Sequence, residues 1–234
     1  MARIARFVVP GLPHLVTQRG NRRLNVFFSD DDYRLYLDLL SERCRKAEVE
    51  VWSYCLMPNH LHLILTPTTP EGLGQALGET HRRYSSVINA RLRVSGHLFQ
   101  SRYGSVVVDE EHLMAAARYV ALNPVRARLV ARAQDWRWSS VGAHLQANAG
   151  RSSAPGGDDG YVKTAPILAR CAGRFEDLIA TAPDARQLAA LRAAETIGRP
   201  LGSERFLDRI ASLTGRDARP GKRGRKKKEK AEGS

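Results

Sequence analysis

The spacing of hydrophobic positions along the first 125 residues predicts strands interleaved with helices. Apolar runs and period-two alternation indicate four strands, at residues 14–18, 49–57, 60–66 and 99–108. Apolar residues at helical spacing indicate three helices, at about residues 30–47, 72–93 and 109–122. Hairpins mixed with helices in this order are typical of an α+β domain, in which an antiparallel sheet has helices packed against one face.

Changes of composition divide the rest of the chain into three segments. Residues 147–161 are rich in Gly, Ser and Asp, which predicts a loop or linker. Residues 162–215 are Ala-rich with helical spacing, which predicts an accessory helical region. Residues 216–234 are basic with few apolar side chains, which predicts a disordered tail. The domain that contains the sheet is therefore assigned to residues 1–146.

The balance of charge indicates a polyanionic partner. The 234 residues include 37 Lys and Arg against 24 Asp and Glu, a formal net charge of +13. No apolar run approaches the roughly 18 residues of a membrane helix, and the N-terminus lacks the pattern of a secretion signal. The three cysteines share no C-x-x-C spacing, which argues against a disulfide framework or a structural zinc site. We therefore expect a cytoplasmic protein that associates with the nucleoid through DNA.

Two histidines lie two residues apart in the third predicted strand. Because side chains alternate along a strand, His60 and His62 share one face while Leu61 and Leu63 face the core. Two neighbouring imidazoles can bind one divalent cation through neutral ring nitrogens. The same spacing also fits two polar side chains on an exposed face, so the pair alone leaves both readings open.

A tyrosine and an amide lie four residues apart near the end of the last predicted helix. This spacing places Tyr119 and Asn123 on the same helix face. Asn123 offers an oxygen ligand, or caps the helix before Pro124; Tyr119 offers a nucleophile, or is an ordinary half-buried aromatic. None of the other six tyrosines is followed at this spacing by an amide just before a proline.

Together these residues would form a site for phosphoryl transfer. A metal would polarise a phosphodiester, the phenol of Tyr119 would attack it, and arginines would offset the charge. A phenol with a pKa of about 10 is a poor nucleophile without such assistance. The product, a phosphotyrosine, keeps the energy of the broken bond, which suits strand transfer better than hydrolysis.

Several arginines are candidates for contacts with DNA. They cluster in a turn, stand beside aromatic residues or flank Tyr119, and each cluster also fits an ordinary solvated surface. The candidates are Arg19, Arg22, Arg23, Arg82, Arg83, Arg102, Arg118 and Arg126.

Three ordered motifs resemble a known family. Residues 57–63 read MPNHLHL, residues 118–127 read RYVALNPVRA, and residues 138–140 read WSS. This combination is similar to the REP-associated tyrosine transposases, single-tyrosine HUH nucleases of the IS200-like transposase superfamily. Residues 16–23 and 96–103 also correspond to segments of that family, so the resemblance covers roughly residues 7–145.

The resemblance implies a fold, a site and a substrate. The fold would be ferredoxin-like, with the histidines on a central strand and the nucleophile on a helix. His60 and His62 would bind Mg or Mn with Asn123 as third protein ligand, and Tyr119 would form a 5′-phosphotyrosine and leave a free 3′-OH. The substrate would be single-stranded DNA with a hairpin, as in repetitive extragenic palindromes, and a monomer is favoured over a dimer.

Other classes of function remain to be distinguished. A nonenzymatic DNA-binding regulator on the same scaffold would use the basic surface but be indifferent to Tyr119 and to metal. A zinc hydrolase would activate water and would not need Tyr119. An RNA phosphoesterase of the two-histidine type needs two H-x-[ST] motifs, and the sequence has none.

Overall fold

Four antiparallel strands form a single sheet in the computed structural model, which describes residues 5–150, 160–171, 174–181 and 184–219. In chain order they are β1 (His14–Arg19), β2 (Val49–Met57), β3 (His60–Pro67) and β4 (Gly104–Val107). Their spatial order is β2-β3-β1-β4, and each pairs antiparallel with its neighbours. With one helix after β1 and another after β3, this is the predicted ferredoxin-like arrangement of an α+β domain.

The first face of the sheet is covered by helices α1 (Asp30–Lys46) and α2 (Gly72–Leu92). Ser29 and Asp32 form a capping box that starts α1, and the acidic first turn and basic last turn complement the helix dipole. The leucines of β3 at 61, 63 and 65 are fully buried in this core, as the alternation in the sequence predicted. They fix which way β3 faces, and therefore where its histidines point.

The second face is also covered, which corrects the expectation that helices pack against one face only. Helix α3 (Glu110–Ala121) lies on this face over Leu15, Cys55 and Ile64, which are all buried. These strand residues are apolar and need a cover, and the alanines of α3 allow close approach to the sheet. The face that carries His60 and His62 is thus part of a second core.

Two predicted boundaries shift in the structure. β4 begins at Gly104, because Phe99 makes only an isolated bridge to Gly20 and Ser101 has a left-handed backbone (φ 51°) that interrupts the strand. The last predicted helix ends at Ala121, and a short helix, α4 (Asn123–Arg126), follows with its proline in the first turn. A further helix, α5 (Val141–Asn148), runs across residue 146.

The chain after residue 160 forms helices that pack back onto the sheet. They are α6 (Ala165–Arg170), α7 (Phe175–Ala180), α8 (Ala185–Ile197) and α9 (Glu204–Thr214). Helix α8 contacts β1, β4 and α3, so it joins the cover of the second face. Among the described helices, none combines the length and apolar character needed to cross a membrane.

The predicted linker and tail fall mostly outside the described residues. Of the linker, only residues 147–150 and 160–161 are described. Of the tail, residues 216–219 are described and residues 220–234 are not. Arg216 donates hydrogen bonds to the backbone carbonyls of Ala5 and Arg6 at 2.6 and 2.9 Å, so the start of the tail lies against the N-terminal segment.

Candidate active site

The two histidines of β3 lie side by side on the second face of the sheet. Their ring centroids are 5.1 Å apart, with His62 fully buried and His60 partly exposed. Burial and the neighbouring His62 imidazole lower the pKa of His60 to about 3. His60 is therefore neutral near pH 7, which is the form that binds metal ions.

Each histidine has an oxygen acceptor at one ring nitrogen. Nδ1 of His60 lies 2.6 Å from Oδ1 of Asn59, whose amide nitrogen donates to the carbonyl of Arg23 at 3.1 Å. Nδ1 of His62 lies 3.4 Å from Oε1 of Glu195 and 3.4 Å from Oγ1 of Thr17. Nε2 of His62 is buried and has no hydrogen-bond partner. A buried polar atom without a partner is costly, so it marks a place where a ligand fits.

Tyr119 of α3 stands over His62. Their ring centroids are 5.0 Å apart in an edge-on arrangement, and only 3% of Tyr119 is exposed. The guanidinium of Arg126 lies 4.5 Å from the centre of the Tyr119 ring. Burial, together with the charge of Glu195, raises the pKa of the Tyr119 phenol, and Arg126 opposes that rise. The structure thus brings His60, His62, Tyr119 and Arg126 together.

Asn123 begins α4 one helical turn after Tyr119. It is buried, and its Nδ2 has no hydrogen-bond partner. Nη1 of Arg126 is likewise buried without a partner. Buried donors without a partner fit a site that binds an anionic group, and the guanidinium of Arg126 lies over Tyr119 in that site.

The two histidines can hold a divalent metal ion only together with the amide oxygen of Asn123 or with further oxygen ligands. In the described part of the chain, no three His, Cys, Asp or Glu side chains are grouped so as to hold a metal ion. Nε2 of His62, Nε2 of His60 and the amide oxygen of Asn123 are the candidate protein ligands. Two imidazoles and an oxygen suit Mn²⁺ and leave positions for phosphate oxygens or water.

Seven of the eight predicted DNA-binding arginines divide into three groups. Arg19, Arg22, Arg23 and Arg102 are exposed, and Arg19 ends β1 opposite His60 in the sheet register. The exposed pair Arg82 and Arg83 is bound to the carboxylate of Glu79 at 2.9 and 3.3 Å, so its charge is partly neutralised. Arg126 is at the site itself, as described above.

Arg118 makes a contact between two helices. Its Nε donates to the carbonyl of Leu178 at 2.9 Å, which ties α3 to α7. One of its donors is thus used within the protein, and its contact with phosphate near the nucleophile stays a prediction.

Comparison with known proteins finds one matching family. The family model described as "Transposase IS200 like" matches residues 12–123, a range that includes both histidines, Tyr119 and Asn123. This part of the chain, called the transposase domain below, is therefore similar to the IS200-like transposase family. The match ends before Arg126 and does not reach Glu195. No curated protein matches the chain.

Two solved structures were found for comparison with this chain. A REP-associated tyrosine transposase bound to a REP hairpin has a TM-score of 0.54 at 18% identity, over 66% of this chain and 89% of that chain. At this identity the likeness supports the fold. A crystal structure of a suspected transposase from Deinococcus radiodurans R1 is 22% identical over 51% of this chain and 95% of that chain, but its TM-score of 0.37 is too low to bear on the fold.

Sequence reasoning missed the part of the site that comes from outside the transposase domain. Glu195 and Arg192 of α8 both act on the electrostatics of Tyr119, with Glu195 raising and Arg192 lowering the pKa of the phenol. The hydrogen bonds from His62 and Thr17 outweigh the effect of burial and lower the pKa of Glu195 itself. No sequence pattern links this acid of an Ala-rich helix to the histidines.

Proposed function

We propose that this transposase is a metal-dependent single-stranded DNA endonuclease and strand transferase that acts through a 5′-phosphotyrosine. The observation that carries the proposal is the edge-on contact of Tyr119 with His62, at 5.0 Å between ring centroids, on an imidazole whose Nε2 has no partner. Metal-assisted phosphoryl transfer needs a nucleophile next to an atom that can bind the metal ion.

The chemistry follows from the groups present. When bound by His60, His62 and Asn123, Mg or Mn would supply Lewis-acid polarisation of the scissile phosphate. The phenolic oxygen of Tyr119 loses its proton and forms a bond to phosphorus, while the bond from phosphorus to the 3′ oxygen breaks. That oxygen leaves and takes up a proton as a free 3′-OH. The DNA 5′-phosphate remains on Tyr119, and attack by another 3′-OH reverses the step.

All parts of this site lie in one chain. His62 and Tyr119 contact each other directly, and Arg126 follows Tyr119 in the next helix. The proposed cleavage therefore needs no second copy to complete the site, which favours action as a monomer.

Hairpin DNA is the proposed partner. The net charge of +13 favours a polyanion, and the solved structure that shares this fold is bound to a REP hairpin. The described surface offers a groove of about 740 Å³ whose lining includes Arg22, Arg23 and the exposed side chains of Leu24 and Phe28. Cations beside exposed apolar groups suit a phosphate backbone with unpaired bases.

Removal of the groove arginines is expected to weaken DNA binding without abolishing cleavage of bound DNA. The Arg22→Ala, Arg23→Ala double variant should bind a hairpin oligonucleotide less tightly, with the slope of log affinity against log salt reduced by about one per lost phosphate contact. Arg132→Ala is the matched control, because Arg132 is exposed but paired with Asp135 at 2.7 Å. An unchanged salt slope in the double variant would exclude these residues from the interface.

Removal of Arg126 is expected to slow cleavage more than it weakens binding. Its guanidinium lies over the Tyr119 ring and offsets charge that develops on the phenol and the phosphate. Arg126→Ala should lower the single-turnover cleavage rate by about a hundredfold or more at saturating DNA. Arg128→Ala, at an exposed position two residues later, should cleave at the wild-type rate. Equal effects of the two variants would contradict a specific role for Arg126.

The covalent product tests the proposed function most directly. Denaturing electrophoresis of the protein with labelled hairpin DNA, with Mn²⁺ or Mg²⁺ and with chelator, should show a metal-dependent adduct. Tight binding without any adduct would favour the nonenzymatic regulator instead.

A further inference from the structure

Glu195 reaches the histidine pair from the C-terminal helical region. It lies near the end of α8, and 12% of its side chain is exposed. Its Oε1 accepts a hydrogen bond from Oγ1 of Thr17 at 2.6 Å and lies 3.4 Å from Nδ1 of His62. Leu191 and Ala194 are buried beside it and anchor this end of α8 on the second core.

The position of this carboxylate determines which nitrogen of His62 carries the proton. An ionised carboxylate only accepts hydrogen bonds, so its partner at Nδ1 must be a donor. A neutral imidazole has one proton, and placing it on Nδ1 leaves the lone pair on Nε2. Nε2 of His62 is the buried atom that has no partner, so the free lone pair faces the proposed metal position.

His60 has the same arrangement with a different acceptor. Its Nδ1 faces the amide oxygen of Asn59, which is fixed because the amide nitrogen donates to the Arg23 carbonyl. Both imidazoles therefore carry Nδ1–H and present Nε2. Histidines that bind metals generally donate the other ring N–H to a carboxylate or carbonyl, which fixes the ring and raises its basicity.

We propose that Glu195 is a positioning residue that holds His62 in the tautomer that binds the metal. The part of this proposal that concerns metal binding rests on the proposed function, whereas the part that concerns the tautomer of His62 does not. The Thr17 hydroxyl orients the carboxylate by donating to the same oxygen that faces His62. The C-terminal helical region thereby supplies an outer partner to a ligand set that belongs entirely to the transposase domain.

Glu195 is not itself a metal ligand in this proposal, because it lies at the Nδ1 side of the His62 ring. Oε1 of Glu195 faces Nδ1 of His62, whereas the unpartnered atom is Nε2 on the other side of the ring. A carboxylate on the Nδ1 side acts through the imidazole and does not complete the coordination of an ion at Nε2.

The tautomer can be measured on the protein without metal or DNA. Long-range ¹H–¹⁵N spectra of the full ¹⁵N-labelled chain, with His62 assigned by a His62→Gln variant, should show Nδ1–H in the wild type. Glu195→Ala should shift His62 toward Nε2–H, whereas Glu195→Gln keeps an oxygen acceptor and should retain Nδ1–H. Thr196→Ala, at the next and exposed position of α8, is the matched control and should match the wild type.

Mn²⁺ affinity gives the second readout. By isothermal titration, Glu195→Ala should bind Mn²⁺ about 10- to 100-fold more weakly, with Glu195→Gln between it and the wild type. Circular dichroism checks folding, and if Glu195→Ala does not fold, Glu195→Leu, which keeps the bulk of the side chain but removes both oxygens, replaces it. An unchanged His62 tautomer in Glu195→Ala overturns the proposal, as does an Nε2–H tautomer in the wild type. A wild-type protein that shows the expected tautomer but binds no Mn²⁺ contradicts the proposed metal dependence and leaves the positioning of His62 established.

Discussion

Replacing Tyr119 by Phe is expected to abolish covalent attachment of DNA while hairpin binding is retained. The substitution removes only the phenolic oxygen, so the ring still packs against His62 and under Arg126. No other described tyrosine stands over the histidine pair. Loss of a nucleophile removes most of the rate, and single-turnover cleavage should fall by at least about ten-thousand-fold. Cleavage is measured by denaturing electrophoresis, and binding by fluorescence anisotropy.

The control for Tyr119→Phe removes a buried hydroxyl from the other face of the sheet. The hydroxyl of Tyr84 donates to the carbonyl of Val26 at 2.6 Å within the first core. Tyr84→Phe costs about 1 kcal/mol of stability for the lost hydrogen bond and should form adduct like the wild type. An adduct that persists in Tyr119→Phe would show that another group is the nucleophile.

Replacing His60 by Ala is expected to remove both metal binding and metal-dependent cleavage. His60 is the partly exposed member of the pair, so its loss leaves a smaller defect in the core than loss of His62. Outer partners of metal-binding histidines contribute about 10- to 100-fold to affinity, so loss of a ligand should cost more than about a hundredfold. Isothermal titration with Mn²⁺ measures the affinity.

His97→Ala provides the comparison for His60→Ala. His97 is exposed and lies in the groove rather than at Tyr119. Its replacement should leave Mn²⁺ affinity unchanged, whatever its effect on DNA binding. If His60→Ala binds Mn²⁺ as tightly as the wild type does, the histidine pair is not the metal site.

The sheet could be predicted from the sequence because its pattern is local. The alternation of Leu61, Leu63 and Leu65 with His60 and His62 determines the orientation of β3, and the structure agrees. The cover of the second face could not be predicted in the same way. Burial of the histidine face depends on how α3 and α8 pack across the sheet, which is a property of the tertiary structure.

The same distinction between local pattern and tertiary packing applies to the residues of the site. Tyr119 and His62 could be named from motifs, and the structure brings them into contact. Arg118 is next to Tyr119 in sequence, and no motif indicates that its Nε donates to the carbonyl of Leu178. Glu195 carries no motif, and only the packing of α8 reveals that its carboxylate meets His62. Residues that position a ligand through one hydrogen bond leave no periodic signal in a sequence.

A 5′-phosphotyrosine can be recognised by following both ends of a cleaved hairpin. Hairpin repeats from the flanks of the protein's own gene, labelled at the 3′ end in one sample and at the 5′ end in another, are incubated with Mn²⁺ or Mg²⁺ and with chelator. A 5′-phosphotyrosine requires that the 3′ label migrate with the protein on a denaturing gel, while the 5′-labelled fragment is released with a 3′-OH that a polymerase extends. The adduct should vanish with chelator and in Tyr119→Phe. Tight, metal-independent binding of several hairpins with neither adduct nor released fragment would contradict the account and identify a DNA-binding regulator.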